Sequence, residues 1–134
     1  MKITVIGCGR WGSFIAWYLD KTGHGVSLYG REGSPHMKQF RESGTNGIVT
    51  LPNSIRPISA MEEAVKTELI VVSVGAQSFR EVAADIAAQG YRGDLVLCMK
   101  GIEQGSGKRL SEIALEYLPQ SGVAVWLGPG HVQE

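Results

Sequence analysis

Lys2-Ile3-Thr4-Val5-Ile6-Gly7-Cys8-Gly9-Arg10-Trp11-Gly12 decides the fold of this chain. A short β-branched run enters G-x-G-x-x-G, the order in which a strand delivers a glycine turn to the start of a helix. Each glycine has its own use. Gly7 allows the tight turn out of the strand, Gly9 lets backbone approach a pyrophosphate, and Gly12 lets the following helix pack closely on the sheet. The helix N-terminus then offers unpaired N–H groups and a positive dipole end to phosphate oxygens.

The residues beyond the glycines support this reading. Trp11, Phe14, Ile15, Tyr18 and Leu19 fall at helical spacing, which predicts an amphipathic helix with these side chains on its apolar face. Thr22-Gly23-His24-Gly25 ends it, and Val26 to Tyr29 reads as a second strand. The result is a β-turn-α-β unit of about the ~30 residues that a dinucleotide fingerprint requires. The plainer reading is a domain that keeps the turn for its geometry alone.

The same alternation continues to the end of the chain. Ser34-Pro35 reads as an N-cap with proline at the first helical position, opening a helix to about Ser43 that Gly44 stops. Thr45 to Ile58, with Pro52 and Pro57, reads as a long loop plus an edge strand near Ile55 to Ser59. Ser59-Ala60-Met61-Glu62 has capping-box spacing and predicts a small helix through Val65. Leu69 to Val74 is the nearly continuous apolar run of a strand buried on both faces, broken by Gly75-Ala76-Gln77. A helix comes next, from Ser78 to Gln89, with Phe79, Val82, Ala83, Ile86 and Ala87 on one face. Leu95 to Met99 repeats the buried-strand signal. Leu110, Ile113, Ala114, Tyr117 and Leu118 mark another amphipathic helix before Pro119, and Val123 to Leu127 is a last strand closing at Gly128-Pro129-Gly130. The pattern predicts an α/β fold. It is a Rossmann-type, doubly wound, mainly parallel sheet with helices on both faces, in a single domain over 1–134.

Composition narrows the partners. The chain of 134 residues is 43% apolar and 19% charged, and 13 basic residues balance 13 acidic ones. A neutral chain has no global field to draw in nucleic acid or an anionic membrane, so neither is expected as a partner. No apolar run approaches the ~18 residues of a membrane span, and the first residues read as a strand instead of a leader; the cytoplasm is the expected location. Cys8 and Cys98 lack metal-ligand spacing and read as reduced, structural thiols, with no metal expected.

Ligands of an open α/β sheet bind beyond the carboxyl ends of its strands. Five loops should therefore converge: Gly7 to Gly12, Gly30-Arg31, Gly75 to Gln77, Lys100-Gly101 and Gly128 to Val132. Gly30 stands where an NAD-specific domain carries Asp or Glu, and Arg31 is next in the chain. Losing that carboxylate removes the repulsion of a 2′-phosphate, and a guanidinium can bind the phosphate with forked hydrogen bonds. NADP(H) is therefore favoured as cofactor, while Glu32, close by, keeps NAD(H) open. Lys100, directly after a buried strand, can bring its ammonium to a substrate oxygen and polarise a carbonyl. The plainer reading makes Arg31 and Lys100 solvated cations. His24 and His36 read as surface residues, His131 as near the site without a catalytic partner, and Trp17 and Trp126 as packing. Trp11 stands apart by its place in the fingerprint.

Ile6-Gly7-x-Gly9-x-Trp11-Gly12, Gly30-Arg31, Lys100-Gly101-Ile102-Glu103, Gly105-x-Gly107-Lys108 and Gly128-Pro129 together resemble the bacterial NAD(P)-dependent glycerol-3-phosphate dehydrogenases over essentially the whole chain. That family interconverts sn-glycerol 3-phosphate and dihydroxyacetone phosphate, supplying the phospholipid backbone. The resemblance implies that Arg10, Trp11, Arg31 and Lys100 contact the dinucleotide alongside Gly7, Gly9 and Gly12, with Val132 also facing it. Gly128 and Gly130 would line the substrate site, and Lys100 would touch the substrate in a supporting catalytic role. Arg10 and Gly130 both stand where the family commonly has Ser. The resemblance also implies a further helical domain that holds the principal catalytic lysine and most substrate-phosphate ligands, so these residues are expected to bind cofactor with little turnover. It leaves a homodimer open, since that further domain is free to carry the interface. The competing readings are the cofactor domain of a β-hydroxy acid or ketopantoate-type dehydrogenase and a non-catalytic NAD(P)-binding module. The segment from Lys100 to Lys108 favours the first family.

Overall fold

A computed structural model describes residues 1–45, 49–99 and 101–126. Six strands form one sheet: β1 (Lys2–Ile6), β2 (Gly25–Tyr29), β3 (Arg56–Ile58), β4 (Leu69–Val72), β5 (Asp94–Leu97) and β6 (Val123–Val125). Their order is β3-β2-β1-β4-β5-β6, and every neighbouring pair is parallel. The chain builds outward from β1 to β3 on one side, then crosses back to lay β4 on the other side of β1. That reversal puts the ligand crevice between the carboxyl ends of β1 and β4.

Among the described residues the α-helices are α1 (Arg10–Lys21), α2 (Pro35–Ser43), α3 (Met61–Ala64), α4 (Phe79–Ala88) and α5 (Leu110–Tyr117). The strands' two-residue period sends alternate side chains to two cores. Ile3, Val5 and Val71 pack with Ile15 and Ala16 of α1 and with Met37 and Phe40 of α2. Ile6, Ile70 and Val72 pack with Phe79, Val82 and Ile86 of α4 and with Ile113 and Ala114 of α5. Thr4, buried on that second face, donates its hydroxyl to the Ala64 carbonyl at 2.7 Å and so anchors the end of α3 to the sheet. Helices on both faces are the doubly wound arrangement expected.

The cap signals around α2 act as read. Ser34 Oγ accepts from the Met37 N–H at 3.4 Å, Pro35 holds the first helical position, and Gly44 closes the helix at φ 75°. Pro57, which has no N–H to give, sits in β3 at the sheet's edge, as a proline in a strand must.

Three local expectations are corrected. The buried side of α1 is Gly12, Ser13, Ile15 and Ala16, whereas Trp11, Phe14 and Tyr18 face outward. Small residues let α1 approach the sheet too closely for large rings, so Trp11, Phe14 and Trp17 stack along the outer side at centroid spacings of 5.6 and 5.9 Å. The Ser59 capping box does not form: Ala60 is the N-cap of α3, without a side-chain bond, and Ser59 Oγ instead accepts from Arg41 at 3.1 Å. The buried strands are also shorter than their apolar runs, β4 ending at Val72 and β5 at Leu97.

Candidate functional site

The glycine turn is built almost wholly from backbone. Gly7, at φ 114°, donates its N–H to the Tyr29 carbonyl at 3.0 Å, joining the turn to the end of β2. A Cβ on Gly7 would lie 1.9 Å from the Ser73 carbonyl oxygen, and one on Gly12 would lie 1.8 Å from the Gly7 oxygen. Both positions are closed to any other residue. Gly9 differs: a Cβ there would meet nothing within 4 Å. Gly9 is also the N-cap of α1, and no side chain caps that terminus or places an acid in its first turn. The space beside Gly9 is thus open to solvent and edged by helix N–H groups, which suits an anion.

A cleft of about 140 Å³ adjoins the turn, lined by Ile6, Gly7, Tyr29, Arg31, Val74, Ser78 and Val82. It is mostly apolar, with Arg31 the charged member of that lining. Arg31 Nη2 donates to Glu81 Oε2, on the first turn of α4, at 3.2 Å. Both side chains are largely exposed, at 59% and 68%. The Tyr29 phenol is pushed above its ordinary value, first by burial and then by the charge of Asp85; Arg31 opposes the shift and Glu81 adds to it. Gly30, beside this cleft, is closed from behind. A Cβ there would sit 2.5 Å from Cys8 Sγ and 2.7 Å from Met37 Cε. The strand-end carboxylate of NAD-specific domains therefore has no room at this position unless Cys8 and Met37 move. Cys8 is buried and unbridged, and burial pushes the Cys98 thiol up to about 11, leaving it inert at neutral pH.

The segment after β5 is held by side chains. Gln77 Nε2 donates to the Ile102 carbonyl at 3.1 Å, and its Oε1 accepts from the Gln104 N–H at 2.9 Å, pinning this segment to the loop after β4. Ile102 bridges Arg109, and Gly105 and Gly107 turn the chain between them at φ 90° and 70°. Glu103 is 14% exposed and accepts from Arg80 Nε at 2.7 Å, Arg80 Nη2 at 2.9 Å and Ser106 Oγ at 2.6 Å. Those bonds, Arg80's first, hold its carboxyl down at about 2. Arg80 also donates to Glu116 and to the Tyr117 hydroxyl, and Lys108 completes the network on Glu116. The Glu116 carboxyl is lowered by Lys108 first and Arg80 second. The Glu-to-Lys half of the sequence signature is thus a braced structural hairpin.

Of the residues singled out in the sequence, Gly7, Gly9, Gly12 and Arg31 gather at the carboxyl end of the sheet. Arg10 and Trp11 stand exposed on the first turn of α1, Trp11 at 51%. Lys100, Gly128, Gly130 and Val132 lie outside the described residues, as does His131. The sequence reading placed Gln77 in a site loop and missed Arg80, Glu81 and Glu116. The partners of those three lie 23, 50 and 36 positions away, beyond any local pattern. Among the described residues no three His, Cys, Asp or Glu side chains are placed to hold a metal, and no helix is long and apolar enough to cross a membrane.

Comparison with known proteins agrees with this geometry. The chain is 40% identical over 138 residues to the glycerol-3-phosphate dehydrogenase [NAD(P)+] of Desulfitobacterium hafniense, covering 99% of this chain and 39% of that protein. The enzyme of the same name from Chlorobium phaeobacteroides is 36% identical over 144 residues, with coverages of 100% and 43%. The chain thus spans about two fifths of the length of the relatives it matches. In structure it superposes on the glycerol-3-phosphate dehydrogenase of Coxiella burnetii with a TM-score of 0.82 at 24% identity, over 92% of this chain and 39% of that one. A D-mandelate dehydrogenase solved with NADH and anilino(oxo)acetate gives 0.70 at 20% identity, over 93% and 40%, a likeness of fold alone. The profile described as NAD-dependent glycerol-3-phosphate dehydrogenase N-terminus matches residues 2–134, and with nearly its whole length so matched the chain belongs to that family.

Proposed function

We propose that this chain binds the dinucleotide of a glycerol-3-phosphate dehydrogenase and presents it to a substrate-binding part such as its longer relatives contain. The observation that carries the reading is the open, uncapped space beside Gly9 at the N-terminus of α1, next to the apolar cleft. Helix N–H groups there bind the pyrophosphate, and the cleft between Tyr29, Val74 and Val82 takes the adenosine end. Arg10 and Trp11, exposed on the same turn, flank the phosphates. Arg31 reaches a 2′-phosphate where one is present, and the closed position at Gly30 brings no carboxylate against it. NADP(H) is therefore the favoured cofactor, with NAD(H) also accepted.

When bound, the dinucleotide supplies hydride exchange with the carbon that is carbonyl in dihydroxyacetone phosphate and alcohol in sn-glycerol 3-phosphate. This chain's contribution is orientation: it fixes the adenosine and pyrophosphate so that the nicotinamide faces the substrate side. Lys100 stabilises negative charge on the substrate oxygen, Gly128 and Gly130 give backbone to the substrate site, and Val132 touches the cofactor. The principal acid–base lysine and most phosphate ligands belong to the further helical domain. The setting is the cytoplasm, the substrate a small phosphate ester, and a dimer, where formed, uses the further domain.

Calorimetric titration with NADPH and NADH tests this reading. Both are expected to bind, NADPH more tightly, and the 134-residue chain alone is expected to reduce dihydroxyacetone phosphate slowly or not at all. Failure to bind either nucleotide overturns the cofactor assignment. Full turnover by the chain alone overturns the placement of catalysis in a further domain.

A further inference from the structure

We infer that Glu81 sets the balance between the two dinucleotides: its carboxylate competes with a 2′-phosphate for Arg31 and serves a bare ribose as the acceptor that Gly30 does not supply. The inference rests on the dinucleotide reading above.

Three observations carry it. Position 30 is a glycine backed by Cys8 Sγ and Met37 Cε, so the strand end brings no carboxylate of its own and a side chain there would need both neighbours to shift. Glu81 approaches from α4, between Ser78 and Val82, two residues that line the cleft. Its Oε2 already holds Arg31 Nη2 at 3.2 Å. The pair is exposed on both sides and hence readily exchanged, and it leaves other guanidinium donors to a ligand. A dianionic 2′-phosphate that takes Arg31 must displace Glu81 or sit against its negative charge, with Asp85 one turn further along α4 adding to the repulsion at Tyr29. A 2′-hydroxyl is neutral and can donate to the same carboxylate. Glu81 therefore narrows, without reversing, the preference for the phosphorylated cofactor that Arg31 gives.

The test uses the intact chain and probes of the adenosine end, 2′,5′-ADP and 5′-AMP, beside NADPH and NADH. Glu81→Gln is expected to raise the affinity ratio of 2′,5′-ADP to 5′-AMP by about fivefold or more, and the NADPH to NADH ratio likewise, with the gain shrinking at high salt. In an Arg31→Gln background the same change is expected to move the ratios less, since the cycle removes the group competed for and leaves only the ribose contact and the direct repulsion. Glu42→Gln, on the exposed side of α2, serves as control and leaves the ratios unchanged. Binding of both nucleotides with ratios unmoved by Glu81→Gln, or moved equally by Glu42→Gln, overturns the role of Glu81 alone. Wild-type protein that binds neither nucleotide overturns the dinucleotide reading and this inference together.

Discussion

The turn after β1 and the segment after β5 sit at the same end of the sheet and are held by different means. Gly7 to Gly12 relies on backbone: carbonyl oxygens of Ser73 and Gly7 stand where the Cβ atoms of Gly7 and Gly12 would be, and the turn is pinned by the N–H of Gly7. Residues 101–109 rely on side chains, with Gln77 clamping one end and Arg80, Glu103, Glu116 and Lys108 forming a charged brace behind it. A turn made of backbone leaves its N–H groups and dipole free for a ligand and tolerates no added atoms. A segment made of side chains tolerates partial loss and responds to pH.

The largest effect separates the glycines of the turn. Gly12→Ala must displace the Gly7 carbonyl, and a loss of about 4 kcal/mol or more in urea unfolding is expected, placing it among the severe substitutions. Gly7→Ala should behave alike. Near-native stability in either would break the claim that backbone contact fixes the turn.

Gly9→Ala sharpens the contrast. With open space at its Cβ, the variant is expected to unfold within about 0.5 kcal/mol of the parent. Dinucleotide affinity should fall about tenfold, ~1.4 kcal/mol, because the methyl group occupies the phosphates' path. A stability loss as large as that of Gly12→Ala would erase the distinction between a glycine kept for the fold and one kept for the ligand.

Arg80→Gln addresses the other region. It strips Glu103 of two hydrogen bonds and Glu116 of another. The expected outcome is a lowered melting temperature and faster amide exchange confined to residues 101–109, with the exchange of Gly7 to Ser13 unchanged. Arg80→Lys should recover only part of the loss, since an ammonium cannot reproduce the forked contact with Glu103. Exchange that rises equally in both regions would show them to be one cooperative unit.

The smallest effect is in the pH profile. The Glu103 carboxyl is depressed from its ordinary 4.5 to about 2, so its contribution to stability is complete above pH 4.5 and is lost as pH falls through about 2. Glu116, also lowered, adds in the same direction. Denaturation measured across that window should show stability falling less steeply with acid in Glu103→Gln than in the parent. Equal slopes would mean that Glu103 keeps no advantage from its partners.

The fold was largely legible because its signals are local. Leu69 to Val72 announce a buried parallel strand by having no polar alternation, and Ser34, Pro35 and Gly44 mark both ends of α2 within one turn of where they act. The face of α1 was not legible. Helical spacing groups Trp11, Phe14 and Tyr18 correctly, but whether that group faces in or out depends on how closely Gly12, Ser13 and Ala16 bring the helix to the sheet. Ser59 shows the same limit: the spacing to Glu62 suits a cap, yet Arg41, 18 residues earlier, takes the hydroxyl. The candidate site divides in the same way. Gly7, Gly9, Gly12 and Arg31 could be named from the chain, whereas Glu81 opposite Arg31 could not.

By itself the sequence determined the alternation of strands and helices, the glycine turn and the family, because each depends on residues close together in the chain. The tertiary structure decided which side of α1 is buried, what backs position 30, and which acids meet Arg31 and Arg80. Those outcomes depend on distance in space: a carboxylate 50 residues away becomes a partner at 3.2 Å only once β2 and α4 have packed on the same sheet.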